Sequence, residues 1–213
     1  VAEESGLIIP LGAAMLRQAC EQLRAWRDTA LRHIIIAVNV SPVQLADTGF
    51  VDSVTSTLQS TATKGDQLTF EITESTLMTD PEATLAVLMR LKTLGIRIAI
   101  DDFGTGYSSL SHLKRFPVDI VKIDRSFVRD LETDPDDREL AKAIVAMSKS
   151  LRLRVVAEGV ETDTQAGIPQ AMGFRLLRGY LYAKPADAAT VAAWLTARVN
   201  GHEQGHVVAT DLK

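Results

Sequence analysis

Short β-branched runs recur along this chain with amphipathic stretches between them, and that alternation constrains the fold more than any other feature. The runs are 34–40, 68–72, 96–100, 118–123 and 153–156, with 174–181 as a weaker sixth. Helical patterns fill the intervals at 10–30, 81–94, 135–151 and 162–172, and a last one, 186–199, follows the final strand. Apolar runs of this length read as strands buried on both faces. Strand and helix in regular succession then predict parallel pairing through right-handed crossovers, which is an α/β fold. The clearest helix starts at Pro81: Asp80 stands where a cap belongs, the proline sits where a missing N–H does no harm, and Gly95 follows the end. Asp134, Asp136 and Asp137 around Pro135 suit a second helix N-terminus, where the macrodipole favours negative charge.

Composition narrows the partners. The 213 residues carry 23 basic and 27 acidic side chains, a formal net charge of −4. Binding to duplex nucleic acid through its phosphates needs a surplus of Lys and Arg, so that class of partner is excluded. The single Cys20 cannot form an internal disulfide, and no run reaches the roughly 18 apolar residues of a membrane span. A reduced, aqueous compartment follows. The tail from Asn200 to Lys213 is polar and Gly-punctuated, and reads as a frayed end. Its His202 and His206 lack companions to complete a metal ligand set. Trp26, Trp194 and the Leu and Met stripes of the helices read as packing. The chain opens at Val1 with no initiator Met and no signal segment, as a piece cut from something longer would.

Polar residues then fall where a doubly buried strand should not carry them. Asn39 closes the first run, Glu71 the second, Asp101 and Asp102 the third, Lys122 and Asp124 the fourth, Glu158 and Glu161 the fifth. Any one acidic strand end is commonly a helix cap or a surface ion pair; five in agreement predict one carboxylate-rich pocket on the ligand-binding side of a parallel fold. Glu71, Asp101, Asp102 and Glu158 gathered without compensation would repel or take up protons. Divalent cations resolve the conflict, and oxygen-only ligands suit Mg²⁺ or Mn²⁺ better than Zn²⁺. Adjacent Asp101 and Asp102 allow one carboxylate to bridge a metal pair, the standard device for attacking a phosphodiester. Lys122 is then placed to orient the attacking water or offset phosphate charge, and Glu158 to bind metal and take the water's proton. A different chemistry is open to the same residues: proton abstraction beside a carboxylate, with Lys122 as base and Mg²⁺ on the enediolate.

The segments Val38-Asn39-Val40-Ser41-Pro42, Glu71-Ile72-Thr73-Glu74-Ser75, the 101–110 block DDFGTGYSSL, Lys122-Ile123-Asp124-Arg125-Ser126-Phe127 and Ala157-Glu158-Gly159-Val160-Glu161-Thr162 closely resemble EAL domains, bacterial phosphodiesterases that linearise cyclic di-GMP. The resemblance covers residue 1 to about Ala197. It implies a modified (β/α)8 TIM-type barrel over 1–199, missing its first strand or strands, with 200–213 as the tail. It also implies hydrolysis of cyclic di-GMP to linear pGpG with two Mg²⁺ or Mn²⁺ ions. Position by position, Asn39, Glu71, Asp101, Asp102 and Glu158 match the metal ligands, Glu158 also the general base, Lys122 the lysine near the catalytic water, and Glu161 a supporting carboxylate. Glu74 matches the residue that steadies the loop carrying Asp101 and Asp102. Ser41, Asp102, Arg178 and Pro185 fall at substrate-binding positions. An upstream sensor or GGDEF domain, a homodimer and a cytoplasmic location are further implications.

Two departures from the family pattern stand out. No Glu-Ala-Leu tripeptide occurs, so the strand that would hold this metal-binding Glu is absent from the chain, which leaves a barrel with an open edge. Where the family usually has Gln-Gly-Tyr, this chain has Arg178-Gly179-Tyr180. The guanidinium brings a fixed charge and five donors, so Arg178 is a candidate to hold a phosphate or to displace a metal. Either role favours an alternative reading, a degenerate module that binds cyclic di-GMP without cleaving it and signals through a partner domain.

Overall fold

The expected strands and helices take shape in the computed structural model of the chain, which describes residues 1–104, 110–200 and 209–210. In chain order the elements are α1 (Ile8–Trp26), β1 (Ile36–Asn39), α2 (Pro42–Ala46), α3 (Phe50–Thr61), β2 (Leu68–Thr73), α4 (Glu74–Thr79), α5 (Pro81–Thr93), β3 (Arg97–Phe103), α6 (Leu110–Arg115), β4 (Ile120–Ile123), α7 (Arg125–Asp130), α8 (Pro135–Ser150), β5 (Arg154–Ala157), α9 (Asp163–Met172), β6 (Leu176–Leu177), α10 (Ala188–Asn200) and β7 (Ala209–Thr210). All five main apolar runs become strands, and the weak sixth shrinks to two residues. Every expected helix forms. Three of them start on a side-chain cap, the first as expected: Asp80 accepts from the Ala83 N–H, Asp134 from those of Asp136 and Asp137, and Thr162 forms a capping box with Gln165.

The chain divides into two compact units, the first comprising 1–72, 76–97 and 185–213, the second 73–75 and 98–184. In the first unit β1 lies parallel to β2, with Asn39 opposite Glu71. The core is a seam of α1, α3, α5 and β2 side chains, among them Leu23, Val54, Leu88 and Leu68, all essentially removed from water. Each such residue contributes about 2 kcal/mol of apolar burial. Phe50 and Phe70 meet with ring centroids 6.1 Å apart and planes tilted by 41°.

Two expectations need correction in this unit. β2 is buried along nearly its whole length, whereas β1 is not: Ala37 and Val38 are half-buried and Asn39 is exposed. Their side chains line a cavity of about 190 Å³ together with Ile8, Leu11 and Met15 of α1. The polar tail, expected to be frayed, contributes β7, whose Ala209 and Thr210 pair parallel with Ile36 and Ala37. An exposed strand edge offers N–H and C=O groups that such a segment can satisfy. His202 and His206 lie outside the described residues, as do 105–109 of the DDFGTGYSSL block.

In the second unit β3, β4, β5 and β6 are parallel neighbours in that order, with Ala99 opposite Ile120, Ile120 opposite Arg154 and Val156 opposite Leu176. Ile98, Ile100, Val121, Ile123 and Ala157 are buried. Helix α8 packs on β5, α7, α8 and α9 pack on one another, and Val128, Ile144, Val145 and Ala166 of these helices are buried. Because the pairing is parallel, the carboxyl ends of β3, β4 and β5 lie side by side. Among the described residues, no helix is long and apolar enough to cross a membrane.

The Asp80 cap can be checked in isolation. Asp80→Ala removes the acceptor of the Ala83 N–H and should lower stability by about 1 kcal/mol, read as a lower urea midpoint at unchanged slope. An unchanged midpoint would mean that α5 is held by packing alone.

Candidate active site

The second unit builds its polar centre around Lys122. Strand β4 runs between β3 and β5, so its penultimate residue emerges between the ends of both neighbours. The Lys122 ammonium lies 2.9 Å from Asp101 Oδ1 and 2.9 Å from Glu158 Oε1, and the side chain is only 3% exposed. A cation so far out of water is stable only when paired, and the two carboxylates provide that pairing. Arg178, the residue after β6, adds a second cation: its Nη1 donates to the same Glu158 Oε1 at 2.9 Å. Asp101, Lys122, Glu158 and Arg178 thus form one continuous ion network drawn from four strand ends.

A bulge shapes the β3 end. Ile100 pairs with Val121 and Phe103 with Ile123, so β3 spends one more residue than β4 over the same stretch, at the acidic pair. Such an insertion breaks strict alternation and re-aims side chains. Asp102 there takes φ +53°, the left-handed region, which aspartate tolerates better than most residues. Burial raises the pKa of the Asp102 carboxyl, the charges of Asp101 and Asp124 raise it further, and Lys122 opposes them. Just beyond, Glu74 Oε2 accepts the Gly104 N–H at 3.1 Å, fastening the exit of β3. Gly104 has φ +101°, and a Cβ there would press on the Phe127 ring at 3.0 Å.

The remaining candidate residues are placed as follows. In the first unit Asn39 and Glu71 are register partners at the ends of β1 and β2, Glu71 buried and Asn39 exposed. Ser41 caps α2, its hydroxyl accepting the Gln44 N–H and the Gln44 side chain accepting the Ser41 N–H. Pro185 is exposed ahead of α10. In the second unit Glu161 is also exposed, its N–H bonded to Gln165 Oε1 at 2.8 Å. Asp124, noted in the sequence only as a polar strand end, caps α7 by accepting from the Ser126 N–H and hydroxyl. Burial works against its charge, yet the bonds from Ser126 and Arg125 leave its pKa lowered. The Arg178–Glu158 bond is the feature that reading strand ends one at a time misses; the charge of Arg178 was the available signal, but not its partner.

The donor set suits a hard divalent cation in kind, since Asp101, Asp102 and Glu158 offer only carboxylate oxygen. Among the described residues, however, no three His, Cys, Asp or Glu side chains already stand together as a metal-holding group. In the second unit Asp101 and Glu158 are paired with the Lys122 ammonium, and Glu158 also with the Arg178 guanidinium.

Parallel strands with charged residues collected at their carboxyl ends define the class, an α/β protein of barrel-related construction. Comparison with known proteins makes this specific: the chain matches the EAL domain over residues 1–185 and belongs to that family. It is 44% identical over 193 residues to MucR of Pseudomonas aeruginosa, a bifunctional diguanylate cyclase/cyclic di-GMP phosphodiesterase, covering 91% of this chain but 28% of MucR. This chain therefore spans little more than a quarter of that relative. A solved structure of PaMucR phosphodiesterase in complex with c-di-GMP superposes with a TM-score of 0.86, covering 89% of this chain and 77% of that one at 44% identity. Klebsiella pneumoniae BlrP1, solved with manganese and cyclic di-GMP, gives a TM-score of 0.72 at 30% identity over 82% of this chain and 45% of that one.

The pairing of Lys122 has a direct test. Lys122→Met keeps the side chain's bulk but leaves Asp101 and Glu158 facing each other without the ammonium. We expect a loss of about 3 kcal/mol in denaturant unfolding at neutral pH. A loss within experimental error of zero would show that the network adds nothing to the fold.

Proposed function

We propose that this chain hydrolyses one phosphodiester of cyclic di-GMP to linear pGpG, with two divalent ions, Mg²⁺ or Mn²⁺, in the site. The observation that carries the reading is the meeting of Asp101, Lys122 and Glu158 at adjacent parallel strand ends, the side on which such folds bind ligands. Family membership, the likeness to a named cyclic di-GMP phosphodiesterase and the manganese in a related structure support it.

In this reading Asp101, Asp102 and Glu158 would hold metal through carboxylate oxygen, and Asn39 and Glu71 match the family's other ligand positions. When bound, the ions supply Lewis acidity at the phosphate and a lower pKa for the attacking water. Glu158 would accept a proton from the attacking water as the water oxygen bonds to phosphorus and the P–O3′ bond breaks, and the leaving 3′-oxygen would take a proton from solvent to end as a 3′-hydroxyl. Lys122 offsets the charge that builds on the phosphate oxygens. Glu161 supports this chemistry as an auxiliary carboxylate, and Glu74 holds the exit of β3. Ser41, Asp102, Arg178 and Pro185 contact the nucleotide. The reading places the chain in the cytoplasm, where this second messenger acts, inside a longer protein with a sensor or GGDEF domain upstream, and able to pair with a second copy.

One observation favours a second reading, a receptor that binds cyclic di-GMP without cleaving it: Glu158, the general base, is held by two cations. Incubating the chain with cyclic di-GMP and Mn²⁺ and separating the nucleotides by chromatography distinguishes the two. pGpG should appear, and Glu158→Gln should slow its appearance by at least about 100-fold without unfolding the protein. Bound but intact nucleotide would establish the receptor, and no binding would sink both readings.

A further inference from the structure

We infer that Arg178 is a built-in competitor for the divalent cation at Glu158, and so sets the metal concentration at which the site loads. The inference rests on the proposed reading that these carboxylates take metal.

The backbone around Arg178 makes this pair different from an adventitious surface contact. The Arg178 N–H donates to Ala157 O at 2.8 Å, and Arg178 O accepts the Val160 N–H at 3.0 Å, so the residue is pinned on both sides of Glu158. The next residue, Gly179, runs so close to Val160 that any Cβ would collide with its backbone. The guanidinium is thereby aimed at Glu158 from a fixed Cα.

The two cations on Glu158 Oε1 are not equivalent. Lys122 is 3% exposed and holds Asp101 as well, whereas Arg178 is 26% exposed. Arg178 is the one that can swing toward water and be solvated there when a divalent ion takes its place. Its charge also counts at a distance. Glutamine at 178 would leave the surroundings of Asp101, Asp102 and Glu158 one unit more negative. A divalent ion arriving within a few ångströms feels that difference at the intermediate dielectric of a half-buried site.

The test is Mn²⁺ binding to the nucleotide-free chain, followed by electron paramagnetic resonance of the free ion, for the natural protein, Arg178→Gln and Arg178→Lys. Arg178→Gln should bind Mn²⁺ about tenfold more tightly, while Arg178→Lys stays near the natural protein because its charge is kept. In parallel, millimolar Mn²⁺ should raise the melting temperature of Arg178→Gln more than that of the natural chain; melting in EDTA verifies that each variant folds. Equal Mn²⁺ affinities for the natural chain and Arg178→Gln would overturn the inference while leaving the phosphodiesterase reading intact. Unchanged Mn²⁺ affinity with weakened cyclic di-GMP binding would overturn it, leaving Arg178 with its nucleotide contact alone. No Mn²⁺ binding by any of the three would overturn it together with the metal reading, whereas pGpG production by a chain whose Mn²⁺ affinity does not depend on residue 178 would overturn it alone.

Discussion

The buried ammonium of Lys122 is the interaction on which the candidate site of the second unit depends. A lysine removed from water demands carboxylates, and carboxylates at neighbouring strand ends demand a cation, so each side of the Asp101–Lys122–Glu158 bridge is the reason the other is tolerated. The parallel register provides the geometry. β4 is the middle strand of three, Ile100 pairs with Val121 and Lys122 with Val156, so a side chain leaving β4 at 122 is flanked by the ends of β3 and β5. Sheet topology and site electrostatics are therefore one problem with one solution, which is why the charge sits in the middle strand.

The two sides of the bridge are held differently. On the β5 side Glu158 is locked by backbone: its N–H bonds to Ile123 O, and the Arg178 and Val160 bonds clamp the segments next to it. On the β3 side the chain reaches its acidic residues through a bulge and a left-handed aspartate, a conformation that costs about 1 kcal/mol or more and persists only because neighbours hold it. The bond from the Gly104 N–H to Glu74 is one such restraint.

Much of this was legible in the sequence, for identifiable reasons. β-branched runs and a cap such as Asp80 are local signals, and local signals produced β2, α5 and α8 nearly to the residue, whereas β3 continues past its expected end to Phe103 and β4 starts only at Ile120. Helix α3 was missed because its Thr- and Ser-rich segment has poor intrinsic propensity; burial of Phe50, Val54 and Leu58 on one face overrides that. Half-burial of β1 was missed because an apolar run cannot report what covers its outer side. In the site, the residue types at strand ends foretold a charged cluster, but not the bulge that aims Asp101 and Asp102. Nor did they foretell that Arg178 would choose Glu158, since that choice depends on β6 lying beside β5.

The same network bears on whether such a module is better built for catalysis or for binding. Glu158 is already paired twice, with an ammonium and a guanidinium each at 2.9 Å, so the role of general base proposed for it requires one of those cations to yield. Lys122 cannot leave, because departure would strand a buried ammonium and uncover Asp101. Of the two cations Arg178 is the one with water within reach, 26% exposed against 3% for Lys122, so any loosening of the grip on Glu158 starts there.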